Sequence, residues 1–220
     1  MSRLPLALRL VGAPSLVLAL LAMTPVPALA GPPLICHPFD IGTAASLPFG
    51  STSDGWRGWQ ATLPSYDRSA LVADTLALLT ATTPVLVRME TLRRASAYAA
   101  ESPALASSLL AAVEARAPKT PRTKADALAL FDAGYLVETY RQLGGRGVAM
   151  RAPIEGKDGY AMVRAAMAHM PDDAAVQFAA ALITATPERR DAHVGHLGKV
   201  RAMARTDAMV ARNLATHFSN

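Results

Sequence analysis

Asp126–Leu143 reads DALALFDAGYLVETYRQL, the longest uninterrupted helical pattern in the chain after its first thirty residues. One face carries Leu128, Phe131 and Tyr135, and a second carries Leu130, Gly134 and Val137. A surface helix needs one apolar stripe, so two stripes place this helix between neighbours on both sides. Gly134 costs roughly 1 kcal/mol of helix propensity relative to alanine, a cost offset when another helix crosses closely there. The spacing therefore assigns Gly134 a close-packing role and marks Asp132, Glu138 and Arg141 as the polar residues to follow. Glu138 shares a face with Phe131 and Tyr135. A carboxylate there needs an internal partner, and Arg88, Arg93 and Arg94 are the expected ones.

Outward from this helix the pattern stays helical from residue 66 to the end. Asp67, Thr83-Pro84, Ser102-Pro103, Pro171-Asp172-Asp173 and Thr186-Pro187 are start signals, with a capping oxygen or a proline ahead of an apolar run. Helices are expected near 67–80, 84–100, 103–117, 124–143, 157–169, 172–185, 187–204 and 206–217. Most connections are short, so consecutive helices should pack as antiparallel hairpins. The predicted fold is all-α, with stacked hairpins in one domain over residues 66–220. The exception among the connections is Gly144–Gly159, GGRGVAMRAPIEGKDG, long enough to carry function.

Two segments precede this domain. Residues 1–30 combine Arg3 and Arg9, an apolar stretch from Val11 to Met23, and Ala28-Leu29-Ala30 before Gly31, the pattern of a cleaved export signal. The apolar stretch is shorter than the roughly 20 residues of a membrane span, and no later segment is longer. A periplasmic or secreted product without a membrane span is expected. Residues 31–65 are rich in proline and glycine and contain both tryptophans, Trp56 and Trp59. Leu34, Ile35, Phe39, Ile41 and Phe49 are too apolar for a linker, so this segment should lie as an irregular arm across the helical body.

Composition narrows the function classes. The chain of 220 residues carries a net charge of +5, and removing Arg3 and Arg9 leaves +3, from 20 basic and 17 acidic residues. No segment interleaves lysine and arginine with aromatics, so a nucleic-acid partner is not expected. Aromatics are 5% and β-branched runs are short, which favours helices. The single cysteine, Cys36, has no internal partner for a disulfide, so packing alone must stabilise an exported fold.

Tyr98-Ala-Ala-Glu-Ser-Pro103 and Ala166-Met-Ala-His-Met-Pro171 resemble the closing part of tetratricopeptide-type helical repeats, where a proline starts the next helix pair. Pro103 and Pro171 lie 68 positions apart, about twice the roughly 34-residue period of that family. The continuation PDDAAVQFAAALI is similar to the first helix of a following unit. This resemblance covers about half of the chain after residue 30. It implies an α-solenoid architecture and a scaffold that binds a protein or peptide, and it transfers no site residues.

Candidate chemistry is sparse. Cys36-His37-Pro38-Phe39-Asp40 brings a thiol, an imidazole and a carboxylate together, types that can ligate a borderline metal; neighbouring residues seldom share one ion, and a buried structural Cys36 is the competing reading. His193 and His196 stand one turn apart, with Asp191 or His217 as a third ligand, or are simply solvated. Arg88, Glu90, Arg93 and Arg94 read as a solvent-facing ion-pair network. Gly144-Gly-Arg-Gly147 lacks the preceding strand of a phosphate loop, so Gly144 or Gly145 is expected to end the central helix in a left-handed conformation. No HExxH, nucleophile elbow or Ser/His/Asp pattern appears, which argues against an enzyme, and no cofactor is predicted. Two classes remain: an exported non-enzymatic scaffold with a protein or peptide partner, and a periplasmic metal- or haem-associated protein using Cys36 and His37. The oligomeric state leaves no signal in the sequence.

Overall fold

A computed structural model describes residues 33–50, 61–144, 150 and 152–218. The residues of the expected export signal, Trp56, Trp59, and residues 145–149 and 151 of the glycine-rich connection lie outside the described residues. Eight α-helices and no strand occur among those described: α1 (Leu71–Leu78), α2 (Val85–Ala99), α3 (Pro103–Glu114), α4 (Lys124–Gly144), α5 (Gly159–Met167), α6 (Ala174–Ile183), α7 (Arg190–Met203) and α8 (Ala208–His217). Each lies where its sequence pattern predicts, with ends within three residues of those expected, except that α1 starts four residues late because Arg68–Ala70 forms a 3-10 turn.

The starts are set by local chemistry. Ser102 accepts a hydrogen bond from the Leu105 amide with Pro103 in the first turn, and Asp158, Asp173 and Asp207 cap α5, α6 and α8 in the same way. Thr83 does not cap α2. Its hydroxyl donates to the Leu78 carbonyl at 2.7 Å and accepts from the Thr80 amide, so it closes the α1–α2 turn instead. Thr186 makes no capping bond either, and α7 is entered through the 3-10 turn Pro187–Arg189.

From α1 to α7, outer and inner helices alternate along the chain. α2, α4 and α6 are buried along nearly their whole length, while α1, α3, α5, α7 and α8 each bury a single face. α4 packs most extensively on α5 and also meets α2, α3 and α6, which accounts for its two apolar faces. The tight crossing is where expected. A Cβ built on Gly134 would sit 2.6 Å from the Gly159 carbonyl oxygen and 2.8 Å from Met162 Cβ, so α4 and α5 meet backbone to backbone at these two glycines. Gly144 is the last residue of α4 and has no positive φ, so it is not the left-handed residue; Gly145, the other candidate, lies outside the described residues.

Residues 33–50 form the expected irregular arm. Leu34, Ile35, Cys36, Phe39, Ile41 and Leu47 are buried and belong to the main core. The arm turns at Asp40-Ile41-Gly42, where Gly42 takes φ +60° and its amide bonds to the Asp40 carboxylate at 2.9 Å. It has no regular secondary structure, so its backbone groups must find partners on the helices.

Candidate functional site

Those partners define a groove formed by α2, α4 and α8. The Leu34 amide donates to Gln142 Oε1 at 2.9 Å, and the Phe39 amide donates to Glu90 Oε2 at 3.0 Å. Arg93 Nη1 reaches the Ile35 carbonyl at 3.4 Å, Arg94 Nη1 the Leu47 carbonyl at 2.6 Å, and Tyr98 Oη the Pro48 carbonyl at 2.7 Å. Asn213 grips one residue twice, accepting from the Asp40 amide and donating to the Asp40 carbonyl. Side chains of the body thus read the main chain of an irregular segment, as in recognition of a peptide.

Two side chains of the arm are recognised as well. Phe39 enters an aromatic box, stacked on His217 with ring centroids 4.7 Å apart and edge-on to Phe178 at 6.0 Å. Asp40 leaves the groove at its rim and pairs with Arg212 Nε at 2.6 Å; that hydrogen bond holds its carboxyl below the usual range.

The charged cluster on α2 is buried, not solvent-facing. Glu90 is 0% exposed and takes both Arg93 Nε and Nη2, Arg94 Nε, and the Phe39 amide. Burial works to raise the Glu90 pKa, but these donors outweigh it and hold the carboxyl below its ordinary value. The cluster's reading as a solvated face fails because the arm covers it. On the same helix, Arg88 forms a second buried pair with Asp132 of α4, Nη1 to Oδ2 at 2.5 Å, and also donates to the carbonyls of Thr80 and Thr83. Burial dominates at Asp132 and pushes its carboxyl up to about 7, with Oδ1 left without a protein partner.

Glu138 is internal but not tied to the α2 arginines. It pairs with Arg189 at 3.2 Å and Arg141 at 3.3 Å and accepts the Tyr160 amide at 3.0 Å. The reason is rotational: Asp132 faces α2, whereas Glu138 lies beside Gly159 at the α5 crossing. His193 is half-buried and His196 buried, and the two rings make separate contacts. His196 is engaged at both nitrogens, by Gln177 Oε1 at 3.0 Å and Tyr160 Oη at 2.9 Å, while His193 Nδ1 lies 2.9 Å from the Ala181 carbonyl. Asp191 is exposed. His217 joins neither of them; it meets His37 instead, with ring centroids 5.7 Å apart. Cys36, next to His37 in sequence, is buried and forms no disulfide. Among the described residues no three His, Cys, Asp or Glu side chains are grouped to hold a metal ion.

The sequence pointed to Glu90, Arg93 and Arg94 as a cluster but missed their target, the backbone of the arm. Gln142, Arg212 and Asn213 carried no signal, since one amide or arginine on a helix looks like any exposed residue. The groove and its occupant define the class of the molecule: an all-α protein whose helical body holds its own irregular 33–50 segment. Comparison with family models, curated proteins and solved structures gives no match.

Proposed function

We propose that the chain is exported and works as a non-enzymatic helical scaffold that binds an extended segment of a protein or peptide partner. The observation that carries this reading is the groove itself. Six side chains from three helices bond to the main chain of an irregular segment, with one aromatic box and one arginine beside them. Main-chain bonds supply affinity for any extended peptide, and side-chain pockets supply selectivity. The box and Arg212 favour an aromatic residue followed by an acidic one, the chemistry of Phe39-Asp40. The arm is then an occupant in cis of a site that a partner segment fills in trans. Kinship to tetratricopeptide-type solenoids belongs to the same proposal, and the alternation of outer and inner helices supports it.

Export is tested by the mass of the product recovered outside the cytoplasm, which should begin at Gly31. Binding is tested by affinity capture from that fraction with the natural chain and with Arg212→Ala. A partner recovered with the natural chain and depleted with the variant supports the reading. Recovery that is equal for both, or no partner at all, overturns it.

A further inference from the structure

The docked arm rests on a buried imidazole. His217 is 5% exposed, lies almost parallel to Phe39, and meets Phe178 of α6 edge-on at 5.5 Å. Its Nδ1 sits 2.9 Å from the Asn213 carbonyl, so the neutral ring keeps its proton there. A second proton would place a cation between two phenyl rings and close to other positive groups. The charged groups that act on it are His37 of the arm and Arg93 of α2, with Glu90 paired to Arg93 and with Asp40 and Arg212 paired to each other at the rim. α6 offers only Phe178, and His193 of α7 lies against Phe218, itself packed on Phe178. Both carboxylates are committed elsewhere, Glu90 to Arg93 and Arg94 and Asp40 to Arg212.

We propose that His217, with His37 beside it, is a proton-operated latch that loosens the 33–50 arm as the pH falls below neutrality and so makes the groove open more often. That the open groove then takes a partner segment rests on the function proposed above; the latch itself does not.

Burial lowers His217 from 6.5 to about 4, with the positive charges of His37 and Arg93 adding to it against the favourable backbone of Asn213 and His37. His37 is lowered as well, by burial and then by Arg93. Undocking returns these rings to water and to ordinary values. The docked state therefore binds fewer protons than the released state below pH 6.5. Docking weakens as pH falls through this window, about tenfold per unit for His217, and levels off below about 4. The carboxylates do not imitate this response. Glu90 and Asp40 are held below their usual values and titrate at more acidic pH. Asp132 responds near neutrality with the opposite sign, and on the α2–α4 contact.

The test is amide hydrogen exchange of the full chain at about pH 7 and about pH 5, read at Leu34, Phe39 and Asp40 and corrected for intrinsic exchange. Protection at these amides should fall about twentyfold while α4 amides keep theirs. In His217→Phe, which keeps a stacked ring without a titrating group, the fall should shrink to about threefold or less. Unchanged arm protection in the natural chain, an equal fall in the variant, or a matching loss along α4 overturns the latch. Should His217→Phe not fold, the ring titration of His217 in the natural chain decides: a midpoint below about 5 supports the latch, and one near 6.5 sinks it. No ligand enters this measurement, so its outcome is independent of whether the groove binds a partner.

Discussion

The carboxamide of Asn213 holds the backbone of Asp40 at both ends, Oδ1 accepting from the amide at 2.8 Å and Nδ2 donating to the carbonyl at 2.9 Å across 173 positions of chain. Asn213 also bonds back to the Met209 carbonyl, which fixes its rotamer on α8 before the arm arrives. A side chain that is oriented in advance loses little freedom on binding.

Asn213→Ala should leave two backbone groups of the arm without partners. Each buried polar group left unpaired costs about 1–3 kcal/mol, less where water enters. The arm should loosen while the helices stay folded. Cys36 is a built-in reporter because it is buried in the docked arm. Its labelling by a thiol reagent should be slow in the natural chain and at least about tenfold faster in the variant. Equal rates would show that Asn213 does not hold the arm.

Glu90→Gln should be the more damaging change. Arg93 is 1% exposed and has its charge matched by Glu90 within the same helix, so the variant takes the carboxylate partner away from a buried cation. Breaking such a pair costs about 3–5 kcal/mol. Because the Glu90 carboxyl is held below its ordinary value, its contribution is present at neutral pH and is lost as pH falls through that lowered value. Urea titration at pH 7 checks the magnitude; a loss below about 1 kcal/mol would mean that Arg93 finds other compensation.

How much of this was legible in the sequence follows from the range of each interaction. Helix positions depend on residues a few apart, and Ser102, Asp173 and the period of α4 were sufficient to place them. Gly134 was legible because a glycine inside a strong helix needs a reason. Its partner Gly159 was not, since a glycine beside Asp158 at a helix start looks like turn chemistry. The charged residues of α2 were misread for a related reason. Their pattern is that of an exposed face, and only the arm, placed by contacts about fifty positions away, converts it into a buried one. The groove shared that fate, because Gln142 and Asn213 gain meaning only with the arm in place.

At Asp132 the sign of the pH response is opposite to that of Glu90. Burial raises its folded value to about 7 from 3.8, so the folded chain holds an extra proton between these limits. Stability from this group is therefore full below about 4 and is lost as pH rises toward 7. Asp132→Asn removes the titration. The difference in stability between the natural chain and this variant should change steadily between pH 5 and 7.5, measured by urea unfolding, with the natural chain losing ground at the higher pH. A constant difference would show that Asp132 stays ionised throughout.

Gly134→Ala pits helix propensity against contact. Alanine gains roughly 1 kcal/mol in a helix, but its methyl would press on the Gly159 carbonyl and Met162 Cβ across the α4–α5 crossing. Overpacking of this kind costs about 1–3 kcal/mol. A net loss of stability is expected, together with faster exchange of the α5 amides. A variant as stable as the natural chain would show that α5 shifts freely.

The most direct test of the groove as a binding site is fluorescence anisotropy of a labelled synthetic peptide spanning residues 33–50, titrated with the full chain at pH 7 and at pH 5. Saturable one-to-one binding is expected, of similar apparent affinity at both pH values because the peptide and the arm it displaces lose the same contact with His217 as the pH falls, and abolished by exchanging Phe39 and Asp40 of the peptide for alanine. Absence of saturable binding at both pH values, or equal binding of the alanine peptide, would contradict the proposal that this groove receives an extended partner segment.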